Sequence, residues 1–233
     1  MYRDSYTHAH KAFSLCGEGV QDALILRVML NMARCSYLTG RFEESRKYLS
    51  AITEKYLTRD CPMDRTSVAL EVAIIEANIA RRSGDLTGAI SILSRFDDID
   101  VSGVKPELLA EKYLIEGAVY YYLNNTSESD RRIELAIGMS ARCGDERLRA
   151  RVLALMGLLA GCRGIIRAAE DYFSRAGKIS RSLGDLYGEA CVQLNLSVLH
   201  CREGRFKKAR TVSYTHLRAH ETRHDLVCRL LLE

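Results

Sequence analysis

Tryptophan is absent from the 233 residues, and proline occurs only at Pro62 and Pro106. So sparse a supply of helix breakers leaves room for long helices, and segments such as LEVAIIEANIARRSGD keep apolar residues three and four positions apart, the spacing of one helical face. The chain reads as nearly all helix. Long apolar runs are missing too: none reaches the roughly 18 to 20 residues that span a bilayer, and the first fifteen residues lack the apolar centre of a signal peptide. A cytoplasmic location with no membrane partner is expected.

A strong charge of one sign is also lacking. The formal net charge is +4, and the pairs Arg81-Arg82 and Arg131-Arg132 are interspersed with acidic turns rather than gathered into the stripe that nucleic-acid binders use. The eight cysteines are scattered without a C-x-x-C pair, which argues against a disulfide framework and favours small thiols packed in helix cores. No glycine-rich loop suited to cradling phosphate occurs. Isolated helical glycines such as Gly157 fit close packing instead.

What the chain does contain is a repeat. The turn GRFEES at Gly40 recurs as GDLTGA at Gly84, NNTSES at Asn124, GIIRAA at Gly164 and GRFKKA at Gly204, at spacings of 44, 40, 40 and 40. Each begins with a residue able to take left-handed backbone angles, as a helix end requires, and two positions later comes the start of the next helix. Seven residues before each turn stands Ala33, Ala77, Gly117, Gly157 or Ser197, and five after it Ser45, Ala89, Ser129, Ala169 or Ala209. Small residues at both places let two helices approach closely at the same point of every unit.

These residues resemble the tetratricopeptide repeat, and the fourth unit fits best, with Leu153, Gly157, Gly164, Ala169, Phe173 and Ala176 on the family's large-small-turn-small-aromatic-small pattern. The period exceeds the family's usual ~34 residues and is similar to that of repeats in bacterial signalling and transcription-regulatory proteins. The resemblance implies an all-α, right-handed solenoid of stacked antiparallel hairpins over residues 1–211, cut within a unit at both ends. It also implies a non-enzymatic scaffold for protein–protein interaction, with no cofactor, that binds a peptide, a helix or a neighbouring domain in a concave groove.

Carried through the period, the rows expected on the first helices are Leu30, Ile74, Leu114, Ala154, Leu194; then Arg34, Asn78, Ala118, Leu158, Val198; then Tyr37, Arg81, Tyr121, Gly161, Cys201. Arg34, Tyr37, Asn78, Arg81, Tyr121 and Tyr122 are the candidate partner-binding residues, since Arg and Tyr dominate binding hot spots. Of Tyr120, Tyr121 and Tyr122, at least one is expected in the core. An RNA-reading helical repeat is the rival expectation. It calls for one polar pair at a fixed place in each unit, whereas these rows run from Arg to Ala.

Two further signals suggest metal chemistry. His220, Glu221 and His224 form the zinc-protease pattern H-E-x-x-H within VSYTHLRAHETRHDLVCRLLLE. Residues 212–233, however, can be back-translated in one frame into a string that resembles a sequencing-library adapter, with Arg223 and His224 in its barcode. We read that segment as a non-native tail and expect no metal site there. His8 and His10 stand about 200° apart on a helix, which prevents a shared ligand. His200 beside Cys201 is expected to be a core histidine rather than half of a catalytic pair, and helix 187–202 is expected to be under-covered by its neighbours.

Overall fold

The computed structural model describes residues 7, 22–58, 61–98, 100 and 103–211. Among these every regular element is helical: α1 (Asp22–Leu38), α2 (Phe42–Ile52) with a π-helical turn (Thr53–Leu57), α3 (Arg65–Arg82), α4 (Leu86–Ser94), α5 (Pro106–Tyr122), α6 (Thr126–Cys143), α7 (Glu146–Cys162), α8 (Ile166–Ser182) and α9 (Leu186–Arg202). Residues 206–211 begin another helix. No helix among the described residues is long and apolar enough to cross a membrane.

Local chemistry sets the helix ends. Asp64, Asp85, Asp145 and Asp185 each accept a hydrogen bond from a backbone N–H of the first turn that follows, a cap worth about 1 kcal/mol. Pro106 occupies the first turn of α5, where its missing N–H costs nothing. At the other ends the repeat-turn residues Gly40, Gly84, Asn124, Gly164 and Gly204 all have positive φ, between 59° and 85°. In each turn two backbone bonds recur. Arg41 N–H donates to Ser36, Asp85 to Ala80, Asn125 to Tyr120, Ile165 to Ala160 and Arg205 to His200, while the left-handed residue donates three positions back. This pair of bonds satisfies carbonyls that a helix end would otherwise leave open.

The chain divides into two compact units, Met1–Met139 and Ser140–Glu233. Within the first, α1 packs on α2 and α3 on α4, while α3 also touches α1, α2 and α5. Such a helix needs apolar residues on more than one face. Accordingly Val68, Val72, Ile75 and Ile79 join a core with Leu26, Leu30, Leu49 and Ile52, while Leu70, Ile74 and Ala77 join another with Leu93, Leu109, Ile115 and Val119. The second unit packs α7, α8 and α9 mutually, around Leu153, Phe173, Val192 and Leu199.

All ten small residues of the repeat are buried. At two hairpins the contact is also a hydrogen bond, with Ser45 Oγ donating to the Ala33 carbonyl at 2.7 Å and Ser129 Oγ to that of Gly117 at 2.8 Å. At Gly157 there is no room for more: a Cβ there would lie 2.7 Å from Phe173 Cε1. Helix approach is thus set by side-chain volume at one repeated position.

Some expectations need correction. The described cysteines are all free, but none is fully buried, and Cys162 and Cys201 are exposed. Cys61 lies in the link before α3, and the others sit on helices whose closest contacts are taken by Ala, Gly and Ser. None of Tyr120, Tyr121 and Tyr122 is fully buried either: they form the last turn of α5, with Tyr120 and Tyr121 part-buried and Tyr122 exposed. Leu30, Ile74 and Leu114 belong to the interior, at 0%, 1% and 6% exposure, whereas Leu194 of the same row is 46% exposed and Val198 of the next row 48%.

Candidate functional site

The first helices of the three hairpins in the first unit meet through charge. Arg34 Nη2 on α1 donates to Glu71 Oε1 on α3 at 3.2 Å and stands 3.7 Å from Glu111 Oε2 on α5. Arg27 Nη1 lies 3.6 Å from the other Glu71 oxygen. Arg34 is part-exposed and both carboxylates are mostly buried, so the guanidinium lies over them and α1, α3 and α5 contribute to a common surface. Its charge is largely spent within the protein.

The other candidates fall into two groups. Tyr37 and Asn78 are buried. Tyr37 stacks on Phe42 with ring centroids 6.4 Å apart, and the Arg82 guanidinium sits 4.7 Å from its ring centre. Asn78 Nδ2 donates to its own helix at Ile74 O, 3.0 Å away, and its Oδ1 accepts from Arg81 Nη2 at 3.4 Å. Tyr37 and Asn78 therefore shape and hold their neighbours from beneath. Arg81 and Tyr121 are half-buried and Tyr122 is 57% exposed; the two tyrosine rings meet edge to face at 5.3 Å. Together with Arg34 these reach solvent.

A second constellation lies under α5. Lys112 Nζ, 1% exposed, contacts Asp97 Oδ1 at 2.6 Å and Glu116 Oε1 at 2.8 Å. Arg132 of α6 pairs with Glu116 at 2.9 Å and with Asp97 at 3.1 Å. Burial pushes the Asp97 carboxyl upward, but the hydrogen bonds from Arg132 and Lys112 outweigh it and hold the group below its ordinary range. For Glu116 burial wins and its pKa is raised. Two acids and two bases so balanced are structural: they tie the α4–α5 link to the third hairpin. The clue in the sequence is Lys112 and Glu116 at i and i+4 within LLAEKYLIEGAV, a run whose other residues are apolar apart from Glu111 and the phenol of Tyr113.

In the second unit His200 is 7% exposed, with Nδ1 lacking a hydrogen-bond partner and standing 3.6 Å from Glu170 Oε1. That oxygen is taken by Arg205 Nη1 at 2.8 Å. Burial lowers the His200 pKa, which suits a neutral core imidazole. The H-E-x-x-H segment, His8 and His10 lie outside the described residues, and among the described residues no group of three or more His, Cys, Asp or Glu is placed to hold a metal. Compared with protein-family models and with curated proteins, the chain matches none.

Proposed function

We propose that the hairpins stack as a tetratricopeptide-like, right-handed solenoid and that the protein is a non-enzymatic interaction scaffold. Its inner wall, made from first helices, holds a peptide, a helix or an adjacent domain. In keeping with the long repeat period, the proposed setting is a cytoplasmic bacterial signalling or transcription regulator.

The observation that carries this reading is the reach of Arg34 across α3 to Glu111. A side chain on the first hairpin that comes within 3.7 Å of the third supports first helices that lie side by side, as the inner wall of such a groove requires. The exposed Tyr122, Leu123 and part-exposed Arg81 at its edge are residue types that anchor partners.

Selection of random 12-residue peptides on the full chain tests the proposal. Selected peptides are expected to lose at least tenfold in affinity to Tyr122→Ala or Arg81→Gln and nothing to Arg149→Ala, on an exposed flank of α7. No selectable peptide, or equal loss at all three sites, refutes it.

A further inference from the structure

Arg81 differs from the other arginines of this surface. Arg27 and Arg34 both have carboxylates, whereas among the described residues none stands within ion-pair distance of Arg81. Among the described residues its one acceptor is the neutral Asn78 Oδ1, at the long distance of 3.4 Å, and its Nε is shielded from solvent and has no acceptor there. A half-buried guanidinium has given up part of its hydration and gained little in return, and a buried donor left open is a cost that a fitting anion removes.

The surroundings point to the kind of anion. Asn78 donates its amide to Ile74 O, which fixes Oδ1 toward Arg81 and holds the guanidinium in place. Beside it on α3, Arg82 lies over the Tyr37 ring. On α5, which packs against α3, the helix ends in the edge-to-face pair Tyr121–Tyr122 and in Leu123, the last 40% exposed. A cation without a counter-charge, on a helix packed against one that ends in an exposed apolar and phenolic edge, suits a carboxylate carried by an apolar segment, because guanidinium and carboxylate match in geometry. An extended polyphosphate fits less well, because the neighbouring cations Arg27 and Arg34 are already paired with Glu71 and Glu111 and leave no continuous basic track.

We infer that Arg81 is the anion anchor of this surface and that its partner is an acidic peptide, with an Asp or Glu side chain seated on Arg81 and a flanking aliphatic or aromatic residue against Tyr121–Leu123. The inference rests on the groove reading above and adds the chemistry of the occupant.

The test uses arrays of acetylated, amidated 12-residue peptides probed with the full chain, so that no terminal carboxylate contributes. Enrichment of Asp or Glu beside Leu, Ile, Phe or Tyr is expected. In the best peptide, Asp→Asn or Glu→Gln should weaken binding by about tenfold or more, and this factor should vanish in Arg81→Gln and persist in part in Arg81→Lys. Should Arg81→Gln unfold, the peptide substitution measured on the wild-type and Arg81→Lys chains still decides. Peptides that bind without acidic preference, or an acid-to-amide factor unchanged in Arg81→Gln, overturn the anchor while leaving the groove intact. Absence of any binding peptide removes the groove reading and this inference together. Displacement of the peptide by a 12-nucleotide oligo-uridine in an Arg81-dependent way replaces the acidic peptide by nucleic acid.

Discussion

Arg34 Nη2 stands 3.7 Å from Glu111 Oε2, although the α3–α4 hairpin intervenes in sequence between the helices that carry them. The link is part-exposed and so modest in energy. A double-mutant cycle of Arg34→Ala and Glu111→Ala in urea denaturation should give a coupling below about 1 kcal/mol that shrinks at high salt. A coupling well above that, or one that does not respond to salt, would contradict a part-exposed ion pair between α1 and α5.

The repeat predicts opposite signs for one substitution at two glycines. Gly157→Ala drives a methyl into the Phe173 ring and should destabilise by about 1 to 3 kcal/mol. At Gly138 a Cβ meets nothing within 4 Å on an exposed helix position, so Gly138→Ala should stabilise by roughly 0.5 to 1 kcal/mol. Thermal melts of the two variants decide, and shifts of the same sign contradict the packing account.

Asn124 is the one described non-glycine residue with positive φ, at 59°. Asn124→Gly should therefore relieve backbone strain and gain up to about 1 kcal/mol, while Gly164→Ala should lose about as much. Chemical denaturation checks both. Loss of stability in Asn124→Gly would show that its side chain contributes more than its backbone costs.

Under α5, removing one charge is predicted to be worse than removing two. Lys112→Met leaves Glu116 buried with Arg132 alone and takes a hydrogen bond from Asp97, at a cost of about 3 to 5 kcal/mol. Lys112→Met with Glu116→Leu keeps the Arg132–Asp97 pair and should recover part of that loss. If the double variant is the weaker of the two, the cluster is not held by charge balance.

Acid should weaken the second unit through His200. Its pKa in the fold lies below the ordinary imidazole value, so the unfolded chain binds the proton more readily. The stability from the neutral ring is complete above the ordinary value, about 6.5, and declines as pH falls through the window beneath it. In Asp97, also depressed, the same sign applies below its ordinary carboxylate value, whereas raised Glu116 acts with the opposite sign in the window above its own ordinary value. His200→Phe should abolish the decline in the imidazole window alone, as read from unfolding free energy against pH. An unchanged slope in that variant assigns the effect elsewhere.

The sequence made the turns and close contacts legible because both depend on residue type at a fixed interval. Only Gly or Asn takes a left-handed angle cheaply, and only a small side chain allows two helices to touch, so Gly40 through Gly204 and Ala33 through Ser197 mark themselves. Orientation within the surface was less legible. Period alone places Tyr37, Arg81 and Tyr121 in one row, yet Tyr37 is drawn under Arg82 and against Phe42 while Arg81 remains half outside. The difference lies in which neighbours fill the space: Phe42 comes from the second helix of the same hairpin and Arg82 from the next hairpin. The Lys112–Glu116 pair shows the same limit: its spacing is that of an ion pair on one helix, but Asp97 and Arg132 are distant in sequence and only folding brings them in.

The hairpin turns carry a consequence for how such a chain changes length. Residues 85–124 begin and end at equivalent points of the pattern. Cutting them out joins Gly84 to Asn125, giving a left-handed glycine followed by an Asx cap, and brings Ser129 opposite Ala77 where Ala89 had been. The hydroxyl then finds the same kind of carbonyl that it finds at Gly117. Growth and shrinkage by whole modules are thus written into the joints, so that duplication or loss of a gene segment alters the span of the protein while each seam stays chemically familiar.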